Sequence, residues 1–200
     1  HGSTGKSTEL PAGTAAHPSK LFPHGFDPPI NNYPWKDEGG EIVKRLIEQD
    51  GRQYVVVARR MLRLEAGENQ FSRMYTEMHE LVIPAEEWSV AAVPQLVDVL
   101  EAKGVIATNS SMPAIELKTD ILDRPLPEGW FDDYVKEVVS NVVSGKPIAL
   151  QDWNVKEKDF LRKLFHALTC LPENIARQIS FGAGLADSEE GEVRIAHTKT

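Results

Sequence analysis

Two long segments rich in β-branched residues, separated by a short turn, constrain the fold of this chain more than any other feature. The first is YVVVARRMLRLE at residues 54–65, and the second is MYTEMHELVIP at residues 74–84. The AGEN sequence at 66–69 is typical of a turn. Together these segments predict a long antiparallel β-hairpin.

Helical patterns and shorter strand-like segments surround this hairpin. Residues 41–49 (EIVKRLIEQ) carry apolar residues at helical spacing, which predicts a short helix before it. After the hairpin, a helical pattern up to Gly104 contains Pro94, which predicts two helical pieces. The remaining predicted elements are helices at 129–146 and 154–171, strands at 147–150, 179–185 and 192–198, and short strand-like pieces at 105–124. This order predicts an α+β fold: a mixed sheet with a long β-hairpin and three or four packed helices.

The N-terminal part of the chain differs in composition from the rest. Residues 1–19 are rich in Gly, Pro, Ser and Thr, which predicts a flexible leader or a remnant of an expression vector. Residues 20–200 are predicted to form a single α+β domain with an extended N-terminal segment. That segment, residues 20–36, is predicted to lay aromatic anchors on the domain surface. The anchors are Phe22, Phe26, Tyr33 and Trp35.

Charge and cysteine content limit the class of protein. The formal net charge is −8, which argues against general binding to nucleic acid or to an anionic membrane. A single cysteine, Cys170, excludes an internal disulfide, and its place near a helix end predicts a buried, unreactive thiol. No apolar run reaches the length that spans a bilayer. We therefore expect a cytoplasmic protein.

Two short motifs suggest chemistry that their surroundings do not support. Gly5-Lys6-Ser7 resembles the end of a phosphate-binding loop, but the prolines that follow cannot form the helix that such a loop requires. His79-Glu80 begins like the zinc motif H-E-x-x-H, but Ile83 occupies the position of the second histidine. The six histidines show no ligand spacing, so we expect neither a metal nor a cofactor.

Arg60 is the single charge in an otherwise apolar row of the first hairpin strand. Strand alternation puts it on one face with Val56 and Ala58. Because an unpaired buried charge is costly, Glu77 on the second strand is the predicted partner in a structural ion pair. Two alternatives remain open. Arg60, Glu77 and His79 could form an anion-binding or proton-transfer site of a small hydrolase or transferase, or Arg60 could lie exposed at a sheet edge.

Several spaced motifs also suggest a family. They are GRQY at 51–54, RMY at 73–75, HELVIP at 79–84, LP at 171–172, Arg177, and SF at 180–181. This pattern resembles the N-terminal module of bacterial GTPase-associated conflict-system proteins. The resemblance covers about residues 50–185 as short motifs rather than continuous identity. The tyrosine-rich N-terminal strand expected of that family is replaced by Pro-rich sequence.

The resemblance implies an adaptor or scaffold that acts with NTPases and effectors in bacterial defence or signalling, and it implies no catalytic residue. We therefore expect a non-catalytic protein-interaction or adaptor module of a larger bacterial protein. Its partners are expected to be proteins, such as an NTPase or an effector, with no role for nucleic acid or membrane. Recognition is expected to use either residues 20–36 or an exposed edge of the hairpin.

Overall fold

A mixed β-sheet with helices packed against it makes up the part of the chain that the computed structural model describes, namely residues 40–65, 73–101, 131–150, 157–185 and 193–198. The strands are β1 (Gly40–Gln49), β2 (Arg52–Glu65), β3 (Arg73–Pro84), β4 (Ile148–Leu150), β5 (Phe181–Leu185) and β6 (Ile195–Thr198). The helices are α1 (Leu96–Glu101), α2 (Phe131–Val143), α3 (Glu157–Thr169) and α4 (Glu173–Ala176), with 3-10 helices at Ala85–Glu87 and Val90–Gln95. The strands lie in the order β3-β2-β1-β5-β6-β4, which confirms the predicted α+β class.

The predicted hairpin is confirmed as the pair β2 and β3. The two strands are antiparallel, and their register runs without a shift from Tyr54 opposite Pro84 to Glu65 opposite Arg73. Their β-branched residues suit a pleated, partly buried surface, so local sequence preference and tertiary position agree here. This pair forms one end of the strand order, with β3 as the outermost described strand.

The helix predicted at 41–49 is wrong, because this segment forms strand β1. β1 pairs antiparallel with β2 along its whole length and with β5 on its other side. Asp50 and Gly51 both adopt positive φ angles, 53° and 73°, which gives the tight two-residue turn that a β1–β2 hairpin needs. A central strand is buried on both faces, so it lacks the clean alternation by which strands are recognised.

The sheet has two buried faces of unequal size. The helix face carries Ile42, Val55 and Val57, which belong to one apolar cluster with side chains of α1, α2, α3 and α4. The second face carries Val43, Val56 and Ala58, which pack in a smaller cluster with Leu185 of β5, Ala196 of β6 and Val193, two residues before β6.

The predicted helices and later strands are also present. Pro94 lies inside the second 3-10 helix, Val90–Gln95, and α1 begins at the next residue, Leu96, so two helical pieces are present, as predicted. Gly145, with φ of 77°, follows α2 in the left-handed conformation. No helix among the described residues is long and apolar enough to cross a membrane.

Three predictions fall on residues outside the described ranges. They concern the leader at 1–19, the aromatic segment at 20–36 and the strand-like pieces at 105–124. The aromatic anchors Phe22, Phe26, Tyr33 and Trp35 belong to this group and stay predictions.

Candidate functional site

Arg60 forms its ion pair with Glu41 of β1. The register places Glu41 directly opposite Arg60, and Arg60 Nε donates a hydrogen bond of 2.6 Å to Glu41 Oε2. Arg60 Nη2 contacts the same oxygen, and both side chains are buried. The predicted pair with Glu77 is wrong, because Glu77 lies opposite Met61 rather than opposite Arg60. Because the pattern of residues 41–49 predicts a helix, the sequence does not show Glu41 as the strand partner of Arg60.

The three residues of the predicted catalytic group are not brought together. Alternation along β2 and β3 gives Glu77 and His79 register positions on the helix face, whereas Arg60 lies on the second face. His79 Nδ1 donates a hydrogen bond to the main-chain carbonyl of Leu100, which ties β3 to α1. The described geometry therefore gives His79 a structural contact at the end of a helix.

The second face holds a further carboxyl group that the sequence analysis missed. Glu80 lies opposite Ala58, and its Oε1 is buried without a hydrogen-bond partner in the part of the chain that the structure describes. Burial raises the pKa of Glu80 to about 7. Because its pKa is raised, the Glu80 carboxyl group retains a proton near neutral pH. It lies on the same face of the sheet as the Glu41–Arg60 pair. Strand alternation puts Glu80 on the opposite face from Glu77 and His79, and this spacing is the sequence signal that could have found it.

Lys44 is a buried cation on the helix face. Its Nζ donates hydrogen bonds of 2.8 Å to the main-chain carbonyls of Arg177 and Ile179, and it lies 5.7 Å from the ring centroid of Trp88. Burial lowers the pKa of Lys44 to about 7. The contacts join the central strand to the turn between α4 and β5, so this lysine acts as an internal clamp.

A shallow cleft lies where β3 ends. It has a volume of about 420 Å³ and is lined by Arg52, Gln53, Tyr54, Pro84 and Glu86. The lining offers a guanidinium, a phenol, an amide and a carboxylate, which suits a polar group better than an apolar one.

β3 forms the margin of the described sheet. It is 12 residues long and pairs with β2 on one side, and no described strand lies beyond it. Val82 on this strand has an exposed fraction of 37%. A long marginal strand with an exposed apolar side chain is a template for pairing with another extended chain. The exposed hairpin edge named in the sequence analysis corresponds to this strand.

Cys170 is exposed, so the prediction of a buried thiol is wrong. It follows α3, and its Sγ donates a hydrogen bond of 3.4 Å to the carbonyl of His166. The apolar side chains of this helix face the sheet, and its last turn leaves the thiol outside the core. Within the described ranges, no three His, Cys, Asp or Glu side chains are grouped so that they could hold a metal ion.

No protein-family model matches the chain, and neither a curated protein nor a solved structure matches it. The resemblance to GTPase-associated conflict-system proteins therefore rests on the sequence motifs.

Proposed function

We propose that the protein is a non-catalytic interaction module that binds an extended segment of a partner protein along the edge of β3 that pairs with no described strand. The observation that carries the proposal is the position of this strand: 12 residues long, at the margin of the described sheet, with β2 on its other side. Main-chain hydrogen bonds to a marginal strand supply affinity for an extended peptide without any catalytic group.

The buried charges support a binding role over a catalytic one. The Glu41–Arg60 pair and the clamp at Lys44 are each satisfied by contacts within the fold. Each of these groups links β1 to another element, so their chemistry serves the stability of the sheet. The hydrolase or transferase alternative needed Arg60 beside Glu77 and His79, and the register favours no such group.

Side chains near the edge supply specificity. Val82 offers an apolar contact at the margin, and the cleft at the Pro84 end offers Arg52 and Glu86 to a polar residue of the bound segment. A bound strand presents alternate side chains to one face of the sheet. We therefore expect a ligand with an apolar residue opposite Val82 and a polar or charged residue toward the cleft.

The resemblance described above supplies the biological setting of the proposal. It points to an adaptor in bacterial defence or signalling, whose partner is an NTPase or an effector. The edge of β3 would then receive an extended segment of that partner.

Selection of peptides from a random displayed library against the full chain tests the proposal. We expect enriched peptides that bind with micromolar affinity and that slow amide hydrogen exchange in residues 78–84. Val82→Lys places a charge at the margin and is expected to lower affinity about tenfold or more. Val143→Lys is the matched control, because Val143 is an exposed valine (76%) on a helix, and it should leave affinity unchanged.

Two results would overturn the proposal. One is the absence of any enriched peptide whose affinity depends on Val82. The other is concentration-dependent self-association of the chain that Val82→Lys abolishes, because the occupant of the edge would then be a second copy of the protein.

A further inference from the structure

The cleft at the end of β3 carries two opposite charges that are not paired with each other. Arg52 and Glu86 both line it, and both residues are exposed. Within the part of the chain that the structure describes, neither side chain forms an ion pair or a hydrogen bond. Glu86 uses only its main-chain carbonyl, which accepts a hydrogen bond from Arg177. The cleft therefore presents one guanidinium and one carboxylate to a ligand.

Strand pairing fixes the side of the cleft that carries Arg52. This residue lies opposite Gln49 and closes the two-residue turn between β1 and β2. Tyr54 follows two residues later on β2, so its side chain and that of Arg52 leave the sheet on the same face. Pro84 lies directly opposite Tyr54 and puts a second ring on this face. The guanidinium is thus flanked by the apolar surface of two rings.

Main-chain contacts fix the side of the cleft that carries Glu86. This residue belongs to the 3-10 helix Ala85–Glu87, which follows β3 directly. Arg177 Nη2 donates hydrogen bonds to the carbonyls of Ala85, at 3.4 Å, and Glu86, at 2.5 Å. The carbonyl of Arg177 is itself held by Lys44 Nζ at 2.8 Å. Because the main chain on both sides is held before a ligand binds, less conformational entropy is lost on binding.

The two charges select a ligand that carries both signs. An anion would pair with Arg52 but would be repelled by the carboxylate of Glu86, and a cation would meet the converse. A zwitterion pairs with both groups. Its carboxylate can accept two parallel hydrogen bonds from the guanidinium, and its ammonium group can donate to Glu86. The rings of Tyr54 and Pro84 then offer an apolar contact to the rest of the ligand.

The volume of the cleft limits the size of this zwitterion. The cleft measures about 420 Å³. Because a water-sized group occupies about 30 Å³ in a liquid, this volume has room for about 14 non-hydrogen atoms. A free amino acid with a branched or aromatic side chain is of this size.

We propose that the cleft binds a free α-amino acid with an apolar or aromatic side chain. Its carboxylate pairs with Arg52, its ammonium group pairs with Glu86, and its side chain packs on Tyr54 and Pro84. This site goes beyond the proposed function, which rests on the edge of β3, so either can hold without the other. Peptide selection measures binding at the edge, and the titration below measures binding in the cleft.

An NMR titration of the ¹⁵N-labelled full chain with L-phenylalanine tests the site. We expect a Kd of about 1 mM or lower, with the shifted amide signals concentrated at residues 52–54 and 85–87. Arg52→Gln and Glu86→Gln are each expected to weaken binding about tenfold, because each removes a hydrogen bond to a charged group of the ligand. Glu87→Gln is the matched control. It removes the same charge from the neighbouring exposed residue, which does not line the cleft, and should leave the Kd unchanged.

Three analogues with the same aromatic ring separate the contributions of the two charges. Phenylpropanoate lacks the ammonium group, phenylethylamine lacks the carboxylate, and N-acetyl-phenylalanine amide carries neither charge. Each is expected to bind at least about tenfold more weakly than L-phenylalanine. Equal binding of the N-acetyl amide would assign the cleft to a residue inside a peptide chain and would overturn the proposal. Absence of saturable shifts up to about 20 mM L-phenylalanine, or an equal loss in Glu87→Gln, would overturn it as well.

Discussion

The Glu41 carboxylate and the Arg60 guanidinium lie directly opposite each other on β1 and β2, and both side chains are buried. Arg60 Nε donates a hydrogen bond of 2.6 Å to Glu41 Oε2, with side-chain exposed fractions of 8% for Arg60 and 0% for Glu41. Two desolvated charges of opposite sign fix which residues of the two strands face each other, because a slip of one residue would separate them.

Removal of either partner is expected to destabilise the fold strongly. Glu41→Met or Arg60→Met leaves one buried charge without its partner, which costs about 3–5 kcal/mol in the free energy of unfolding. The double variant removes both charges and should lose less than the sum of the two single losses. Urea unfolding of the four proteins measures this difference as a double-mutant cycle.

An exposed ion pair supplies the control for this cycle. Lys158 Nζ contacts Asp98 Oδ1 at 2.8 Å, and the two side chains are 50% and 59% exposed. Asp98→Ala is expected to change stability by less than about 1 kcal/mol. Additive losses at positions 41 and 60 would show that the buried pair does not couple β1 to β2.

The hairpin of β2 and β3 could be predicted from the sequence because its signals are local. Two runs of β-branched residues flank a short turn sequence, and the register that follows has no shift. The helices could be predicted for the same reason, since their apolar spacing is a property of short segments. The partner of Arg60 could not be found in this way, because it lies on a strand that the local pattern assigned to a helix.

β1 could not be predicted because its charged residues are satisfied by distant parts of the chain. Lys44 donates to carbonyls 133 and 135 positions away, and only that contact explains a lysine in a buried strand. The charge at Glu41 is balanced by Arg60 on the neighbouring strand. Such partners are set by tertiary structure, so a reading of residues 41–49 alone favours an amphipathic helix.

Gly182→Ala is expected to destabilise the sheet at β5, the strand that lies between β1 and β6. Gly182 lies opposite Val43 and Ala196, and a Cβ atom at this position would lie 2.9 Å from Leu185 Cγ. The resulting overpacking costs about 1–3 kcal/mol. Gly51→Ala is the comparison, because nothing lies within 4 Å of the added atom and only its positive φ, 73°, opposes the change. A larger loss for Gly51→Ala in thermal unfolding would contradict the packing argument.

Glu80→Gln is expected to stabilise the protein above neutral pH. Burial raises the pKa of Glu80 to about 7 from 4.5, so the folded state binds more protons than the unfolded state between these values. The contribution of Glu80 to stability therefore falls as pH rises from 4.5 to 7. The urea midpoint of Glu80→Gln should exceed that of the natural protein at pH 8, and the difference should vanish near pH 4.5. Glu87→Gln, which removes a carboxylate at an exposed position, is the matched control.

Lys44 is expected to make stability rise with pH above neutrality. Burial lowers the pKa of Lys44 to about 7, whereas the value in an unfolded chain is 10.5. Below pH 7 both states carry the charge, and the cost of burying it is present in full. Between these pKa values the unfolded state binds more protons, so the free energy of unfolding rises by up to about 1.4 kcal/mol per pH unit.

Lys44→Met separates this titration from those of other groups. The methionine fills a similar space but leaves the carbonyls of Arg177 and Ile179 without their donor, which costs about 1–3 kcal/mol at every pH. At each pH between 6 and 9.5, the free energy of unfolding of the variant, from urea unfolding, is subtracted from that of the natural protein. The pH dependence of this difference reports the titration of Lys44. The difference should be flat below pH 7 and grow in favour of the natural protein above it. A difference that stays constant over this range would mean that Lys44 remains charged in the folded state, held by its two carbonyl acceptors and the ring of Trp88.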